Sequence, residues 1–401
     1  MALGLAACSK EAADVEAPTP GPAATDPATV AHGAYLALLG NCAGCHTARS
    51  GAAYAGARAI VTPFGTVYSG NLTPDDATGL GRWSADDFWQ ALHLGRSRDG
   101  RLLLPAFPFT STTRISRADS DALWAYLKSL PAVAQAQRPH ELRFPYGSAW
   151  AQRAWRWLFF RPAVHVDDPA RPAAWNRGAY LVQGLGHCGA CHAPRNALGG
   201  SGDGLGGGTL PGQPWYAPSL HPAQPGADEA RRLVELLKTG QTDQGSALGP
   251  MAEVVVRSTQ HWRDADLEAV AVYLQSLPPQ ATTQPAADEP TDPATAAALV
   301  RGARLYDDRC ADCHGTQGEG VAGIYPPLAA NPTVLQTGVA NLVQVLLHGG
   351  FAPATAAQPR PYSMPPQFMG DAEMADVLSH IRRSWGNRAG AVSTLDVMQA
   401  R

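Results

Sequence analysis

The pentapeptide Cys-X-X-Cys-His occurs three times in this 401-residue chain, beginning at residues 42, 188 and 310, and uses six of its seven cysteines. This spacing is typical of covalent haem attachment, in which two thiols form thioethers with the haem and the next histidine ligates the iron. The sequence therefore predicts three covalently bound haems c. The predicted attachment residues are Cys42, Cys45, Cys188, Cys191, Cys310 and Cys313, and the predicted iron ligands that follow them are His46, His192 and His314.

Two other chemistries share part of this motif: a zinc knuckle and a thioredoxin-like redox dithiol. Zinc would need a fourth ligand at matching spacing in every copy, and a redox dithiol has no need of a histidine directly after its second cysteine. Three complete copies favour haem over both. Composition agrees with several small haem domains, because only 16% of the residues are charged and the 41 glycines and 34 prolines indicate loop-rich units. The net charge of -3 gives no reason to expect nucleic acid as a partner.

The chain around each motif repeats the same order of parts. A short helical pattern containing glycine precedes each motif, with Gly-Ala-Tyr-Leu at residues 33–36 and 178–181 and Gly-Ala-Arg-Leu at 302–305. An amphipathic helix is predicted to close each repeat, over residues 121–130, 267–277 and 372–385. Two helices that cross beside a haem are the arrangement of cytochrome c. We therefore predict an all-α fold of three tandem cytochrome c-like domains joined by Pro-rich linkers.

Domain boundaries are predicted where proline and polar residues replace the periodic apolar ones. The three cytochrome c-like domains are expected over residues 26–150, 172–279 and 294–389. The other segments are a tether at 1–25, an aromatic and basic connector at 151–171, a linker at 280–293 and a tail at 390–401. The aromatic residues of the connector have two interpretations, which are burial between the first two domains and contact with a membrane surface.

The seventh cysteine, Cys8, follows Leu-Ala-Ala and precedes a segment rich in Ala, Pro and Thr. This pattern resembles that of a bacterial lipoprotein, whose cysteine carries the acyl chains that hold it on a membrane. The other interpretation is an incidental cysteine, because no basic segment precedes the apolar residues. No run of 18 apolar residues is present to span a bilayer. Since haem attaches to Cys-X-X-Cys-His outside the bacterial cytoplasm, we expect a lipid-anchored protein on the periplasmic side of the cytoplasmic membrane.

The sixth iron ligand is predicted to differ among the three repeats. A methionine thioether is the usual ligand that raises the potential of a haem. The second repeat offers only Met251, in a Gly-Pro loop. The third offers Met364, Met369 and Met374, of which Met364 is favoured because the prolines after it stiffen its loop, whereas Met374 lies on the closing helix as a core residue. The first repeat has no methionine, since the chain has none from residue 2 to residue 250, and Phe107 stands at the matching place. The first iron is then five-coordinate, or bound by a residue such as His93 or His140, or bound by a group outside the chain.

Further segments resemble those of the membrane-bound triheme cytochrome c subunits of bacterial alcohol, gluconate, sorbitol and related dehydrogenases. They include Asn-Leu-Thr-Pro-Asp at 71–75, Ser-Arg-Asp-Gly at 97–100, Met-Ala-Glu-Val-Val at 251–255, Tyr-Pro-Pro-Leu-Ala at 325–329 and Ser-Trp-Gly-Asn at 384–387. The resemblance implies a subunit that takes electrons from a catalytic dehydrogenase, a flavoprotein or a quinoprotein, and delivers them to ubiquinone. Members of that family ligate the first haem with a methionine where this chain has Phe107.

No catalytic residue is predicted in this chain, because no Ser-His-Asp or metal-hydrolase pattern stands out, and substrate oxidation is expected on the partner. Two other functions remain open. One is a lipid-tethered electron carrier to a terminal oxidase, and the other is a peroxidase-like enzyme at an open first haem. The residues predict electron transfer without choosing among these partners.

Overall fold

Helices form most of the regular structure of this protein. The computed structural model describes residues 26–202, 204–280 and 292–401. We refer to residues 26–150, 172–279 and 294–389 as the first, second and third units. The helices are α1 (Pro27–Leu39), α2 (Cys42–His46), α3 (Ala85–Leu94), α4 (Phe109–Thr112), α5 (Arg117–Ser129), α6 (Ala149–Phe159), α7 (Ala173–Tyr180, continued by a π-helical turn, Leu181–Leu185), α8 (Gly189–His192), α9 (Ala227–Thr239), α10 (Gly249–Arg257, followed by a 3₁₀ turn, Thr259–His261), α11 (Asp264–Gln275), α12 (Pro293–Arg309), α13 (Ala311–His314), α14 (Ala340–His348), α15 (Asp371–Arg383) and α16 (Thr394–Gln399).

The helices before the first and third motifs begin at the same four-residue signal, Asp-Pro-Ala-Thr. The Asp26 side chain accepts hydrogen bonds from the second and third backbone N–H groups of α1, and Asp292 does the same for α12. Proline at the first helical position loses nothing, because its missing N–H would have no partner inside the helix. The start of both helices is therefore encoded locally.

A glycine lies at the crossing of the first and last helices of each unit. The pairs are α1 with α5, α7 with α11, and α12 with α15. A Cβ atom on Gly33 would lie 1.9 Å from a backbone oxygen of α5, one on Gly178 2.0 Å from α11, and one on Gly302 2.1 Å from α15. Because only glycine permits such an approach, the repeated Gly-Ala at the start of each unit fixes how closely its two helices cross.

Nine short strands accompany the helices in the described residues, and the sequence analysis did not predict them. They are β1 (Ala59–Thr62), β2 (Gly65–Tyr68), β3 (Glu141–Leu142), β4 (Gly208–Thr209), β5 (Tyr216–Ala217), β6 (Gln241–Thr242), β7 (Gly245–Ser246), β8 (Gly350–Phe351) and β9 (Ser363–Met364). All pairings are antiparallel, with β1, β2 and β3 in one sheet and the others in two-stranded ribbons. The predicted helical class is confirmed in the sense that the fold is mostly helical.

The first two units share one hydrophobic core, whereas the third unit has its own. The shared core joins residues of α1 and α5, such as Leu36 and Leu123, to residues of α7 and α11, such as Leu181 and Leu267. The separate core of the third unit is built around Tyr306 and α15. Burial of apolar surface, the main stabilising contribution to folding, therefore ties the first unit to the second.

A reciprocal pair of tyrosines crosses the boundary between the first two units. Tyr35 on α1 donates a hydrogen bond to Asp266 in the first turn of α11, at 2.6 Å. Tyr180, at the equivalent position of α7, donates to Asp119 in the first turn of α5. Each unit thus supplies the tyrosine that binds the other unit's closing helix, as in a two-fold symmetric interface.

The symmetry extends to the backbone and is absent from the third unit. The Tyr35 hydroxyl accepts from the N–H of Arg263, the residue before α11, at 2.9 Å, and the Tyr180 hydroxyl accepts from the N–H of Ser116, the residue before α5, at 3.2 Å. In the third unit Arg304 occupies the position of the tyrosine. The first two units therefore form a pair that the third unit does not repeat.

The connector helix α6 has one packed face and one exposed face, so burial of aromatic residues between the first two units is observed and contact with a membrane surface stays a prediction. On one face the Trp155 indole donates to the Leu198 carbonyl at 2.9 Å and Phe159 lies against Gly200, so this face packs between the first two units. On the other face Trp150 and Trp157 are 60% and 73% exposed. Among the described residues, no helix is long and apolar enough to cross a membrane.

Three of the predicted connecting segments are the tether, the linker before the third unit and the tail. The tether at 1–25, with Cys8, and residues 281–291 of the linker lie outside the described residues. The predicted tail at 390–401 contains α16, whose Val397 is fully buried in the core of the third unit. The Gln344 side chain, also buried there, donates to the carbonyl of Ala400 at 2.6 Å. Residues 390–401 therefore pack onto the third unit.

Candidate functional site

Each Cys-X-X-Cys-His motif forms a single turn of helix. These turns are α2 in the first unit, α8 in the second and α13 in the third. Residues three and four apart lie on the same face of a helix, so both sulfurs and the imidazole of each motif share one face. The second cysteine of each motif is more exposed than the first. The turn therefore presents all three predicted haem-binding groups together.

The three motif histidines have the same hydrogen bond at Nδ1. Each Nδ1 donates to a backbone carbonyl oxygen. The distances are 2.7 Å from His46 to Gly70, 2.7 Å from His192 to Pro218 and 3.0 Å from His314 to Pro326. A carbonyl can only accept, so Nδ1 carries the proton and Nε2 keeps its lone pair. A metal-binding histidine is oriented in this way by its second nitrogen. All three imidazoles are therefore in the tautomer that ligates iron through Nε2.

The electrostatic environment keeps these groups neutral. Burial lowers the pKa of all three histidines, although the backbone hydrogen bond partly opposes it. Burial also raises the pKa of the Cys42 and Cys188 thiols to about 12 and that of Cys310 to about 11. Neutral thiols in apolar surroundings fit thioether formation with a haem, and a neutral imidazole fits iron ligation. The donor set of each motif therefore suits haem c.

The predicted methionines lie in different kinds of secondary structure. Met251 is in the first turn of α10 and packs, half-buried, against the core shared by the first two units. Met364 lies on β9, half-buried against the core of the third unit. Met374, on α15, is fully buried in that core and acts as a packing residue. The predicted Gly-Pro loop around Met251 is instead the first turn of α10, because proline is tolerated at the start of a helix. Both predicted ligands lie at the edge of a core.

A cavity of about 2,010 Å³ opens at the first motif and extends to the second unit. Its lining includes His46 on one side and the loop carrying Phe107 on another, with Cys45 and Cys191 from the first and second motifs. This volume exceeds that of most small-ligand pockets, which reach about 1,000 Å³. The cavity is large enough for a macrocycle, and Phe107 lines it, as the correspondence between the repeats predicts.

The two histidines considered as ligands of the first iron are placed differently. His93, on α3, stacks on Trp89 and is bound through Nδ1 to the Thr113 carbonyl at 2.8 Å, and it is not among the residues described as lining the cavity. His140 does line the cavity, and its Nδ1 lies 3.2 Å from the backbone N–H of Tyr68. Because an N–H can only donate, His140 accepts at Nδ1, which is the opposite arrangement to that of the motif histidines.

Arg58 and Glu253 join the first motif to helix α10 of the second unit, which carries Met251. The sequence analysis gave neither residue a role. The Arg58 guanidinium donates to the carbonyl of Gly44, inside the first motif, at 2.6 Å. It also forms two hydrogen bonds with the Glu253 carboxylate, at 2.7 and 3.0 Å, two residues beyond Met251. Burial raises the pKa of the Glu253 carboxyl, but Arg58 and Arg257 together more than offset it, so that the pKa is lowered. Since 195 residues separate the partners, no local pattern indicates the pair.

Helix α10 lies between the other two units. It contacts α2, the first motif, on one side and β8, the strand paired with Met364, on the other. Leu248, the residue before α10, approaches Gly350 of β8, whose Cβ position lies 3.6 Å from the leucine side chain. The methionine helix of the second unit is thus adjacent to the sites of both neighbours.

Comparisons with known proteins agree with this geometry. The family model described as Cytochrome c matches residues 30–131 and 299–385. Over 94% of its length the chain is 40% identical to "Alcohol dehydrogenase (quinone), cytochrome c subunit" of Gluconacetobacter polyoxogenes, of which 85% is covered. It is 37% identical to "Gluconate 2-dehydrogenase cytochrome c subunit" of Pantoea cypripedii, over 92% of this chain and 88% of the relative. It is also 32% identical to "Fructose dehydrogenase cytochrome subunit" of Gluconobacter japonicus, over 95% of this chain and 84% of that relative.

Proposed function

This chain belongs to the family of cytochrome c subunits of bacterial alcohol, gluconate and related dehydrogenases, and from that premise we propose that it carries electrons from a partner dehydrogenase to ubiquinone through three covalently bound haems c. The observation that supports three haems is the common geometry of the motif histidines, each held by a carbonyl with Nε2 free. A haem at each motif would supply an iron that accepts and releases one electron. The protein supplies its attachment, its orientation and its apolar surroundings.

Each haem is proposed to occupy its own cytochrome c-like domain. Support comes from the three helix crossings at Gly33, Gly178 and Gly302, each of which stands directly before one motif in the chain. The proposed sixth ligands are Met251 for the second haem and Met364 for the third, because both are half-buried at the edge of their unit's core. Thioether ligation of these two irons raises their potentials.

The proposed electron path runs through the second unit. Cys45 and Cys191 line one cavity, which brings the attachment positions of the first two haems together. Helix α10 is adjacent to both the first motif and the strand paired with the one that carries Met364. The residues between the sites hold these elements in fixed positions, above all the Arg58–Glu253 pair. These contacts support the proposal that a haem at the second motif would exchange electrons with both of the others.

Substrate oxidation is proposed to take place on a separate catalytic subunit, a flavoprotein or a quinoprotein. The relatives named above differ in substrate, since their names give alcohol, gluconate and fructose. For this chain we propose an alcohol, a sugar or a sugar acid as the partner's substrate. The chain itself would then determine where the electrons go and not where they come from.

The proposed location is the periplasmic side of the bacterial cytoplasmic membrane, with Cys8 as the lipid anchor. Attachment of haem to this motif outside the cytoplasm supports the compartment, and the Leu-Ala-Ala before Cys8 supports the anchor. Ubiquinone is confined to the membrane, so an anchored subunit would keep its haems within reach of it. A Cys8→Ser variant that becomes soluble after cell breakage and still retains all its haem would support the anchor.

The test of the function is purification of the native protein in detergent, with identification of bound chains and an assay of ubiquinone reduction. A co-purifying flavin or quinoprotein dehydrogenase, together with alcohol- or sugar-dependent quinone reduction, is the expected result. A protein that comes out alone and fails to reduce quinone would refute the subunit proposal in favour of the tethered carrier.

Haem content is tested separately with a matched pair of histidine variants. His192→Ala removes an iron ligand of the second motif, and we expect loss of its low-spin spectrum. His221→Ala is the control, because His221 is also held by a carbonyl (Pro278, 2.8 Å) but lies outside every motif. Equal spectra for the two variants would contradict the assignment of His192.

A further inference from the structure

The segment that leads to Phe107 in the first unit is built like the segment that leads to Met251 in the second. In both, a long helix ends at a glycine with positive φ, which is Gly95 (58°) after α3 and Gly240 (80°) after α9. Glycine is favoured there because side chains with a Cβ are strained in this region. A tight reversal of the chain follows in each case, closed by the Arg96–Leu102 bridge in the first unit and by the β6–β7 ribbon in the second.

Phe107 occupies the position of Met251 in this shared construction. Phe107 lies five residues after Leu102, where the first reversal closes, and Met251 lies five residues after Ser246, where the second closes. Phe107 lines the cavity of the first motif, as a ligand at this position would have to do. A phenyl ring has no lone pair to give to iron. The first unit therefore has the same chain reversal as the second but lacks the methionine sulfur that could bind iron.

Apart from His46, neither a methionine nor an imidazole arranged like those of the motifs is among the residues described as lining the cavity. No methionine or lysine is among the residues that line it. His140 accepts at Nδ1 from Tyr68, so the neutral imidazole carries its proton on Nε2. The second nearby imidazole, His187, is held at Nε2 by the Gly40 carbonyl at 3.2 Å, so its Nε2 is a donor. His140 would have to break a hydrogen bond and change tautomer to bind iron through Nε2, and His187 could offer only Nδ1, the nitrogen that the motif histidines keep protonated.

We propose that the iron bound by His46 has an open sixth position beside Phe107, and that this position takes a small neutral molecule such as carbon monoxide, nitric oxide or dioxygen. The proposal rests on haem attachment at the first motif, which is measured separately below. A site of this kind makes the first haem a ligand-binding centre as well as an electron carrier.

The segment that carries Phe107 contributes an apolar part of the cavity lining. Leu104, Pro105, Ala106 and Phe107 follow one another there, and Arg98 and Arg101 also line the cavity. A neutral diatomic molecule loses little hydration when it enters an apolar site. Polarity and access on the side opposite the histidine decide what a haem binds. Carbon monoxide, which binds reduced haem iron, is therefore the appropriate probe.

The experiment is a carbon monoxide titration of the full-length, dithionite-reduced protein, with haem counted independently by pyridine haemochrome. We expect three haems per chain and about one equivalent of carbon monoxide bound. Phe107→Met supplies the missing thioether and is expected to abolish binding while all three haems remain. Phe144→Met is the matched control, because Phe144 is 87% exposed and is not among the residues lining the cavity. It should bind carbon monoxide as the unaltered protein does.

The electron paramagnetic resonance spectrum of the oxidised protein gives a second reading. A high-spin ferric signal from one haem in three, lost in Phe107→Met, would support the open position. Three haems with no carbon monoxide bound would overturn it, and binding that appears only in His140→Ala or His187→Ala would identify that histidine as the ligand instead. A count of two haems, with the first motif unmodified, would overturn the triheme function itself.

Discussion

The hydroxyl of Tyr35 offers a direct measure of how strongly the first two units hold each other. Tyr35→Phe removes only the oxygen that donates to Asp266 at 2.6 Å and leaves the ring in place. Burial and the bond to Asp266 raise the pKa of Tyr35 to about 12, so the hydroxyl is protonated and able to donate throughout the neutral range. The variant therefore tests the two hydrogen bonds of one hydroxyl between the units, to Asp266 and from the N–H of Arg263.

The expected loss of stability in Tyr35→Phe depends on the hydrogen bonds that Asp266 keeps in the variant. A hydrogen bond to a charged group contributes about 1.5–3 kcal/mol. In the variant, Arg177 still binds the Asp266 carboxylate through two hydrogen bonds, at 2.7 and 3.2 Å. The backbone N–H of Arg263 can form a hydrogen bond with water instead, because this residue is exposed. We therefore expect the lower part of the range, about 1.5–2 kcal/mol, which lowers the Tm of the paired units by about 3–8 °C.

The assay is thermal unfolding of the holoprotein at neutral pH, measured by calorimetry, with Tyr362→Phe as the control. Tyr362 is 59% exposed in the third unit, and loss of its hydroxyl should change stability by less than about 0.5 kcal/mol. Tyr180→Phe should match Tyr35→Phe, because its hydroxyl binds Asp119 in the equivalent place. If Tyr35→Phe were as stable as the Tyr362→Phe control, the reciprocal contact would make no net contribution and the reasoning would be refuted.

Acid provides an independent check of the same contact. Burial alone would raise the pKa of the Asp266 carboxyl, but hydrogen bonds from Arg177 and Tyr35 lower it overall. A group with a lowered pKa in the folded state stabilises the protein above its unfolded pKa, about 3.9, and this contribution is lost as the pH falls through the folded value. The difference in stability between the unaltered protein and Tyr35→Phe should therefore narrow below about pH 4. A difference that stays constant in acid would contradict this assignment.

The helix crossings and the ligand loops can be tested by single substitutions. Gly178→Ala places a Cβ 2.0 Å from the Ala269 carbonyl oxygen, and we expect destabilisation of about 3 kcal/mol or more in denaturant unfolding, against about 0.5 kcal/mol or less for Gly338→Ala, where nothing lies within 4 Å. Met251→Phe should open the second iron and bring carbon monoxide binding to about two equivalents per chain, and an unchanged value would remove Met251 as a ligand. In a redox titration the first haem should have the lowest potential of the three, and Phe107→Met should raise it, whereas a fall would contradict the missing thioether.

The parts of the fold that follow from the sequence are those encoded locally. Asp26 and Asp292 begin helices through side-chain caps that need only the next three residues. The motif turns follow from the spacing of two cysteines and a histidine, and the closing helices from their apolar periodicity. The correspondence of Phe107 with Met251 was also accessible, because it depends on counting residues from one loop to the next.

The features that could not be predicted from the sequence are contacts between residues far apart in the chain and very short strands. The Tyr35–Asp266 contact joins residues 231 apart, and the Arg58–Glu253 pair joins residues 195 apart. Most strands are only two residues long, too short for an alternating pattern. One signal was present, since tyrosine recurs at 35 and 180 but gives way to Arg304 in the third repeat. That difference marks which two units pair, although it does not identify the acceptor.

The core shared by the first two units has a consequence for how the chain comes into being. Synthesis proceeds from the amino terminus, so α1 and α5 are complete long before α7 and α11, whose residues belong to the same core. Until then the new first unit exposes apolar surface, the condition in which chains aggregate or need a chaperone. The core of the third unit is built from its own residues and from α16. Loss of the third unit would therefore leave the shared core closed, whereas loss of either of the first two would expose it.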